Sequence, residues 1–240
     1  MAAMRGLLVC FTAVGAARAL QANAVFKTSK TTILCKNCLS LLKGFPSREK
    51  PVLFKAARTM AETFLQKVGR VSDPKEMRSL ATEWVHESFP EVETVSTETL
   101  QSWIENNPEE LLILDTRSPA EYEVSHLPGA ILIDPQTNAP QELLQKQLSQ
   151  EHNQHKRIIC YCTVGYRASM TAQNLTKALS SEDSITPKPA PKIYNAEGGL
   201  AKWATERKQM IDKQGGPTSL VHPYSAEWAK LLEPELQAQI

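Results

Sequence analysis

Negative charge is missing from the start of this 240-residue chain. No Asp or Glu occurs before Glu49, whereas Arg5, Arg18, Lys27, Lys30, Lys36, Lys43 and Arg48 are all basic. At the acidic frequency of the rest of the chain, such a gap has a chance on the order of one in a thousand. Long hydrophobic runs are absent too: nothing reaches the roughly 18 apolar residues of an ordinary transmembrane helix. Cysteine is scarce, and five scattered residues are too few for a disulfide framework. The net charge is only +1, which gives no argument for nucleic acid or for an anionic membrane as partner. The length allows one domain with extensions, or two small domains.

The acid-free start has the form of a leader. Arg5 precedes a short apolar core, Leu7–Leu8–Val9–Cys10–Phe11–Thr12–Ala13–Val14, and Ala17–Arg18–Ala19 and Ala22–Asn23–Ala24 are both small-x-small cleavage candidates. Residues 1–24 are therefore expected to be a signal-like targeting segment. Residues 25–50 stay basic and carry Thr28, Ser29, Thr31 and Thr32, as a transit-like or linker segment would. Such a signal-plus-transit arrangement resembles the leaders of algal plastids of secondary origin, which makes a plastid the expected destination. The secretory pathway and the mitochondrion stay open. Cys35–Lys36–Asn37–Cys38 is a lone C-x-x-C. It lacks the second pair that a zinc site needs, while Thr31–Leu34 as a strand and Leu39–Leu42 as a helix start would suit a redox pair. No metal and no cofactor are expected.

Residues 51–90 read as a helical hairpin. Val52, Leu53, Ala56, Met60, Phe64, Leu65 and Val68 share one stripe between Pro51 and Gly69. Ser72–Asp73–Pro74 opens a second helix with Met77, Leu80, Ala81, Trp84 and Val85 on one face, ended by Pro90. A hairpin of this size cannot bury a core alone, so it is expected to dock on the domain C-terminal to it.

From Glu91 strands and helices alternate. Val92–Ser96 is a short strand, and Ser96 or Thr97 caps a helix carrying Leu100, Trp103 and Ile104. Leu111–Asp115 is a continuous apolar run ending in an acid, the mark of a strand buried on both faces. Ser118–Pro119 with Glu121 starts a short helix. Pro128–Gly129 is a turn, Ala130–Asp134 a strand, Glu142 to Leu148 a helix, and Arg157–Tyr161 another strand. A polar loop, Ser180–Pro191, leads to a last strand at Ile193–Asn195. Gly198–Gly199 then opens a helix with Leu200, Trp203 and Ala204. The expected architecture is α/β: an open parallel sheet flanked by helices on both faces over residues 91–213, followed by a tail with a short helix over 214–240.

Ligands of such sheets bind at the carboxyl ends of the strands, and Cys162 stands at one. Four residues, Thr163–Val164–Gly165–Tyr166, separate it from Arg167, after which a helix begins. Loop N–H groups, a helix N-terminus and an arginine all favour a thiolate over a thiol, and the thiolate is the nucleophile. Cys160, two residues earlier in the apolar run, reads as core.

Four motifs in order carry a resemblance to the rhodanese (sulfurtransferase) family. Asp115–Thr116–Arg117 with Glu121–Tyr122 is similar to its D-x-R…E-Y signature. His126–Leu127–Pro128–Gly129–Ala130 is similar to H-I-P-G-A, and Cys162–Thr163–Val164–Gly165–Tyr166–Arg167 to the C-x-x-G-x-R active-site loop of single-domain members. Glu197–Gly198–Gly199–Leu200 with Trp203 resembles its closing G-G…W. Ser125 departs from the glycine usual before the His. The resemblance implies that Cys162 takes a sulfane sulfur from thiosulfate or a persulfide donor, holds it as a persulfide and passes it to a thiophilic acceptor. The N–H groups of Thr163, Val164, Gly165, Tyr166 and Arg167 would cradle that sulfur, Arg167 would attract the anionic donor, and Asp115 would brace the loop. For Asp115 and Arg117 a purely structural ion-pair role with Glu121 is equally open, and His126 belongs to a turn. The implied partners are a small-molecule or protein sulfur donor and a thiol acceptor, with thioredoxin and glutathione as examples. Three other classes compete: a phosphatase or arsenate reductase, whose related loop is one residue longer; a non-catalytic binding module, which commonly lacks the cysteine; and, last, a redox protein using Cys35 and Cys38.

Overall fold

The computed structural model describes residues 67, 70–133, 157–179 and 191–239. The leader, the C-x-x-C, all but the last residues of the helix expected from Pro51, and the helix expected over 142–148 lie outside the described residues. The chain divides into two compact units, 1–70 and 71–240.

The second unit opens with α1 (Pro74–Ser88). Asp73 caps it, its carboxylate accepting from the N–H groups of Lys75 and Glu76, and Pro74 fills the first turn where no N–H partner is needed. Met77, Ala81, Trp84 and Val85 form its buried face, and the same compact unit includes the sheet. Next come β1 (Thr94–Val95), α2 (Thr97–Asn106), β2 (Leu111–Asp115), α3 (Pro119–Val124), β3 (Ile131–Leu132), β4 (Arg157–Tyr161), α4 (Tyr166–Leu179), β5 (Ile193–Ala196) and α5 (Gly199–Thr205). Ser96, not Thr97, caps α2, because the Thr97 hydroxyl donates instead to Glu206 at 2.6 Å.

The five strands form one parallel sheet in the order β1-β5-β4-β2-β3. Its centre is the register Leu112 to Ile158, Ile113 to Ile159, Leu114 to Cys160 and Asp115 to Tyr161. Side chains alternate across it. Leu112, Leu114, Ile158 and Cys160 pack with Ala168, Ala172 and Leu175 of α4, while Ile113 and Ile159 are buried on the other side. Both faces are therefore covered, which is why β2 and β4 read as unbroken apolar runs. β3 is shorter than the expected Ala130–Asp134. The Ala130 N–H turns back to the Leu127 carbonyl at 3.0 Å and is lost to the ladder, while Ile133 N–H reaches the Asp115 carbonyl at 2.7 Å.

α3 is held by a full capping box. Ser118 Oγ accepts from the Glu121 N–H at 3.3 Å, and the Glu121 carboxylate accepts from the Ser118 N–H at 3.0 Å and its hydroxyl at 2.8 Å. Ser118→Ala is expected to lower stability by about 1 kcal/mol in urea unfolding. A loss indistinguishable from zero would mean that the cap contributes nothing here.

The tail is more than a short helix. Its β7 (Pro217–Thr218) pairs antiparallel with β6 (Met210–Ile211) just before it, and α6 (Ala226–Ala229) and a 3-10 turn at Pro234–Leu236 follow. Val221, Leu231, Leu232 and Leu236 are buried. Arg78 of α1 donates to the Leu231 carbonyl at 2.7 Å and to Glu233 at 3.0 Å, which ties the tail to the start of the unit. Among the described residues no helix is long and apolar enough to cross a membrane.

Candidate active site

β4 ends at Tyr161, and Cys162 begins the loop that leads into α4. The Gly165 N–H donates to Cys162 Sγ at 3.2 Å. Gly165 has φ +98°, a conformation glycine adopts without penalty. A Cβ there would stand 2.9 Å from Asn195 Nδ2, so the loop lies flat against a buried Asn195 of β5. The loop's start is pinned by α5: Leu200 N–H donates to the Cys162 carbonyl at 2.8 Å and Ala201 N–H to the Thr163 carbonyl at 3.0 Å. Gly199 makes this approach available, since a Cβ on it would fall 2.4 Å from the Cys162 carbonyl oxygen. The G-G of the fourth motif is thus the floor beneath the thiol loop.

Arg167 reaches back from α4 to a partner outside the loop. Its two terminal nitrogens donate to the Glu121 carboxylate at 2.8 and 2.6 Å, and one also donates to Thr163 Oγ1 at 3.0 Å. The Thr163 hydroxyl in turn donates to Glu121 at 3.1 Å. Glu121 is fully buried and Arg167 is 22% exposed. Burial pushes the Glu121 carboxyl up, but the Arg167 hydrogen bonds and charge, with the Ser118 N–H, outweigh it and hold the group down to about 2. Arg167 therefore clamps the two ends of the loop to α3 through a neutralising carboxylate.

Asp115 and Arg117 pair with each other and not with Glu121. Arg117 donates to Asp115 from its N–H, from Nε and from one terminal nitrogen, the last at 2.6 Å, and both side chains are fully buried. Arg117 also donates to the Ser125 carbonyl. The Tyr161 hydroxyl donates to Asp115 at 2.7 Å and accepts from the Leu127 N–H at 3.1 Å. Asp115 thus fixes the end of β4 and the His126–Gly129 turn, and none of its hydrogen bonds goes to the loop over 163–166. The expectation of a direct brace is corrected, because Asp115 and Tyr161 stand side by side in the ladder and the shorter reach wins. His126 stacks on Tyr122 with centroids 3.8 Å apart, and its Nδ1 lies 2.9 Å from the Tyr122 carbonyl. Ser125 has φ −165°, extended backbone that needs no glycine.

Cys160 and Cys162 are both free thiols. Burial, with the nearby Cys162, pushes Cys160 up to about 12, which leaves it protonated and inert at neutral pH.

Other neighbours come from outside the matched motifs. Tyr166, within the loop, stacks on Trp84 of α1 at 4.4 Å and meets Phe89 edge-on at 5.0 Å. The Tyr224 ring of the tail lies over the Arg167 guanidinium at 5.0 Å. Burial lowers the His222 pKa, Glu121 acts against it, and the Arg117 and Arg167 charges act with it. The apolar face of α1 hints that Trp84 is buried but not against what. Nothing in the tail's pattern marks His222 or Tyr224. Among the described residues no cluster of His, Cys, Asp and Glu could hold a metal ion.

Residues 96–206 match the rhodanese-like domain, so the chain carries a domain of that family on a parallel five-stranded sheet. No curated protein matches the chain. Among solved structures, a Bacillus halodurans protein is 19% identical, with 55% of this chain and 86% of that one covered at a TM-score of 0.38. A Rhodopseudomonas palustris protein described as a possible tyrosine phosphatase is 16% identical, with 55% and 91% covered at 0.37. The thiosulfate sulfurtransferase of Pseudomonas aeruginosa is 17% identical, with 71% of this chain and 31% of that one covered at 0.43.

Proposed function

We propose that the protein is a sulfurtransferase that carries a sulfane sulfur on Cys162. The observation behind this reading is the loop itself: a cysteine at the end of a central strand whose Sγ already receives the Gly165 N–H at 3.2 Å. A hydrogen-bond donor aimed at sulfur stabilises the thiolate and, after transfer, the anionic persulfide. The Cys162 thiolate attacks the sulfane sulfur of thiosulfate. A new S–S bond forms, the old one breaks, and sulfite leaves with its electron pair. A nucleophilic acceptor, cyanide in the test tube or a thiol, then attacks the outer sulfur and regenerates the thiolate.

Phosphate chemistry fits less well. Only four residues separate Cys162 from Arg167, and the guanidinium is engaged by Glu121. A tetrahedral oxyanion needs a wider cradle and a free fork of donors.

Mass spectrometry of the protein after thiosulfate treatment tests the proposal. A gain of one sulfur atom on the Cys162 peptide, removed by cyanide, is expected. A loop that hydrolyses aryl phosphates faster than it transfers sulfur would replace this reading with the phosphatase one. The same reading extends to delivery: we propose that residues 1–50 route the enzyme to an organelle, a plastid first. An N-terminal sequence of the cellular protein that starts at Met1 would contradict it.

A further inference from the structure

The tail brings an aromatic ring to the site in a backbone conformation that costs free energy. Tyr224 has φ +63°, the left-handed region that side chains other than Gly, Asn and Asp rarely occupy. The turn is fixed on both sides: Tyr224 N–H donates to His222 Nδ1 at 3.0 Å, and Ser225 N–H donates to the Pro223 carbonyl at 2.7 Å. Strain of this kind persists where surrounding structure imposes it, and it concentrates at functional sites. The result is a residue that stays 53% exposed while the face of its ring lies over the Arg167 guanidinium at 5.0 Å. Core packing does not account for a strained residue that remains half in solvent.

The segment is anchored rather than loose. Val221 N–H donates to the Leu236 carbonyl at 2.7 Å and its carbonyl accepts from Ala238 N–H at 3.0 Å. Gln237 Nε2 donates to the carbonyls of Ala229 and Leu232, each at 3.0 Å. Glu233 accepts from Arg78 at 3.0 Å and from Thr205 at 3.0 Å. A ring held by such a frame acts as a fixed wall. Arg167 clamps the loop that carries the thiol, and Cys162 itself is only 1% exposed. Arg167 also hydrogen-bonds to Thr163, the residue after Cys162, so the Tyr224 ring stands over the clamp at the start of the thiol loop.

From this we infer that Tyr224 is a specificity-determining residue that walls the approach to Cys162 and restricts it to small sulfur donors and small acceptors. The inference rests on the reading of Cys162 as the sulfur carrier. It names the acceptor class as a small nucleophile, such as cyanide or a low-molecular-weight thiol, in preference to a protein thiol.

Tyr224→Asn separates the ring from the fold, because Asn tolerates the left-handed backbone and lacks the aromatic face. The test compares labelling of Cys162 by iodoacetamide with labelling by a pyrene maleimide, tracked on its own peptide by mass spectrometry. It is run on the full chain as wild type, Tyr224→Asn and Tyr224→Phe. Small steric changes in a pocket discriminate by roughly ten- to two-hundred-fold. Tyr224→Asn should therefore raise the bulky-to-small ratio by about tenfold or more at an unchanged melting temperature, and Tyr224→Phe should keep the wild-type ratio within about twofold. In parallel, the wild-type persulfide should pass to glutathione or cyanide faster than to reduced thioredoxin, and Tyr224→Asn should narrow that difference. An unchanged labelling ratio in Tyr224→Asn overturns the inference, as does a wild type that serves thioredoxin as readily as glutathione. A wild type that discriminates in labelling yet takes no sulfur from thiosulfate instead sinks the sulfurtransferase reading and leaves the steric wall in place.

Discussion

Cys162→Ser is expected to reduce sulfur transfer to background, whereas Cys160→Ser should leave the turnover of folded protein intact and cost about 1–3 kcal/mol of stability. The two thiols are two residues apart and both buried, and they differ in what meets the sulfur. Cys162 lies past the end of β4, with the Gly165 N–H on its sulfur at 3.2 Å. A serine oxygen in that place stays protonated near neutral pH and cannot accept a sulfane sulfur as a persulfide. Cys160 is fully buried among Leu114, Ile158, Ala172 and Leu175. Its thiol is pushed up to about 12 by that burial, and so never supplies a thiolate. A serine hydroxyl there loses water and finds an apolar wall, which is where the stability cost arises. Thiosulfate-to-cyanide turnover together with urea unfolding of the three proteins decides the matter. Equal loss of turnover in equally folded samples of both variants would place the chemistry elsewhere.

Much of the frame was legible because its cause is local. β2 and β4 are buried on both faces, so every residue of Leu111–Leu114 and Ile158–Cys160 had to be apolar, and that run is visible without coordinates. The α3 cap was legible for the same reason, since Ser118, Pro119 and Glu121 act within one turn. Partners that lie far apart in sequence were not legible. Arg117 had Glu121 as a candidate partner, and only the fold decides that it turns to Asp115 two residues away while Arg167 crosses to Glu121. The aromatic supports of the loop are more remote still. Trp84 lies before the rhodanese-like domain and Tyr224 after it, so its motifs contain no trace of either contact. β3 misled for a different reason: Ala130 is apolar enough for a strand, yet its N–H belongs to the turn at Leu127.

The Glu121–Arg167 clamp should dominate the protein's response to acid. Glu121 titrates from an ordinary 4.5 in the unfolded chain down to about 2 in the folded one. That difference is worth about 3 kcal/mol. A depressed carboxyl contributes its full stability above the unfolded value, and the contribution drains away as pH falls through the folded one. The window is therefore roughly pH 5 down to pH 2. Glu121→Gln keeps the shape of the side chain and removes the titration. It should be about 3 kcal/mol less stable than wild type at pH 7, because a buried partner of Arg167 and Thr163 has lost its charge. That gap should close progressively between pH 5 and pH 2, as protonation removes the same charge from the wild type. Comparing the two proteins at each pH cancels the groups that Glu121 does not influence. Arg167→Ala should cost more, about 3–5 kcal/mol, because it strands a fully buried carboxylate without its cation. Its loss of sulfur transfer would then mix a collapsed loop with a missing charge. Arg167→Lys keeps the cation but loses the fork, and it should recover part of the stability. Urea unfolding across that pH range provides the measurement. A Glu121→Gln gap that stays constant from pH 7 to pH 2 would mean that Glu121 titrates alike in the folded and unfolded chain and that its charge adds nothing to the clamp.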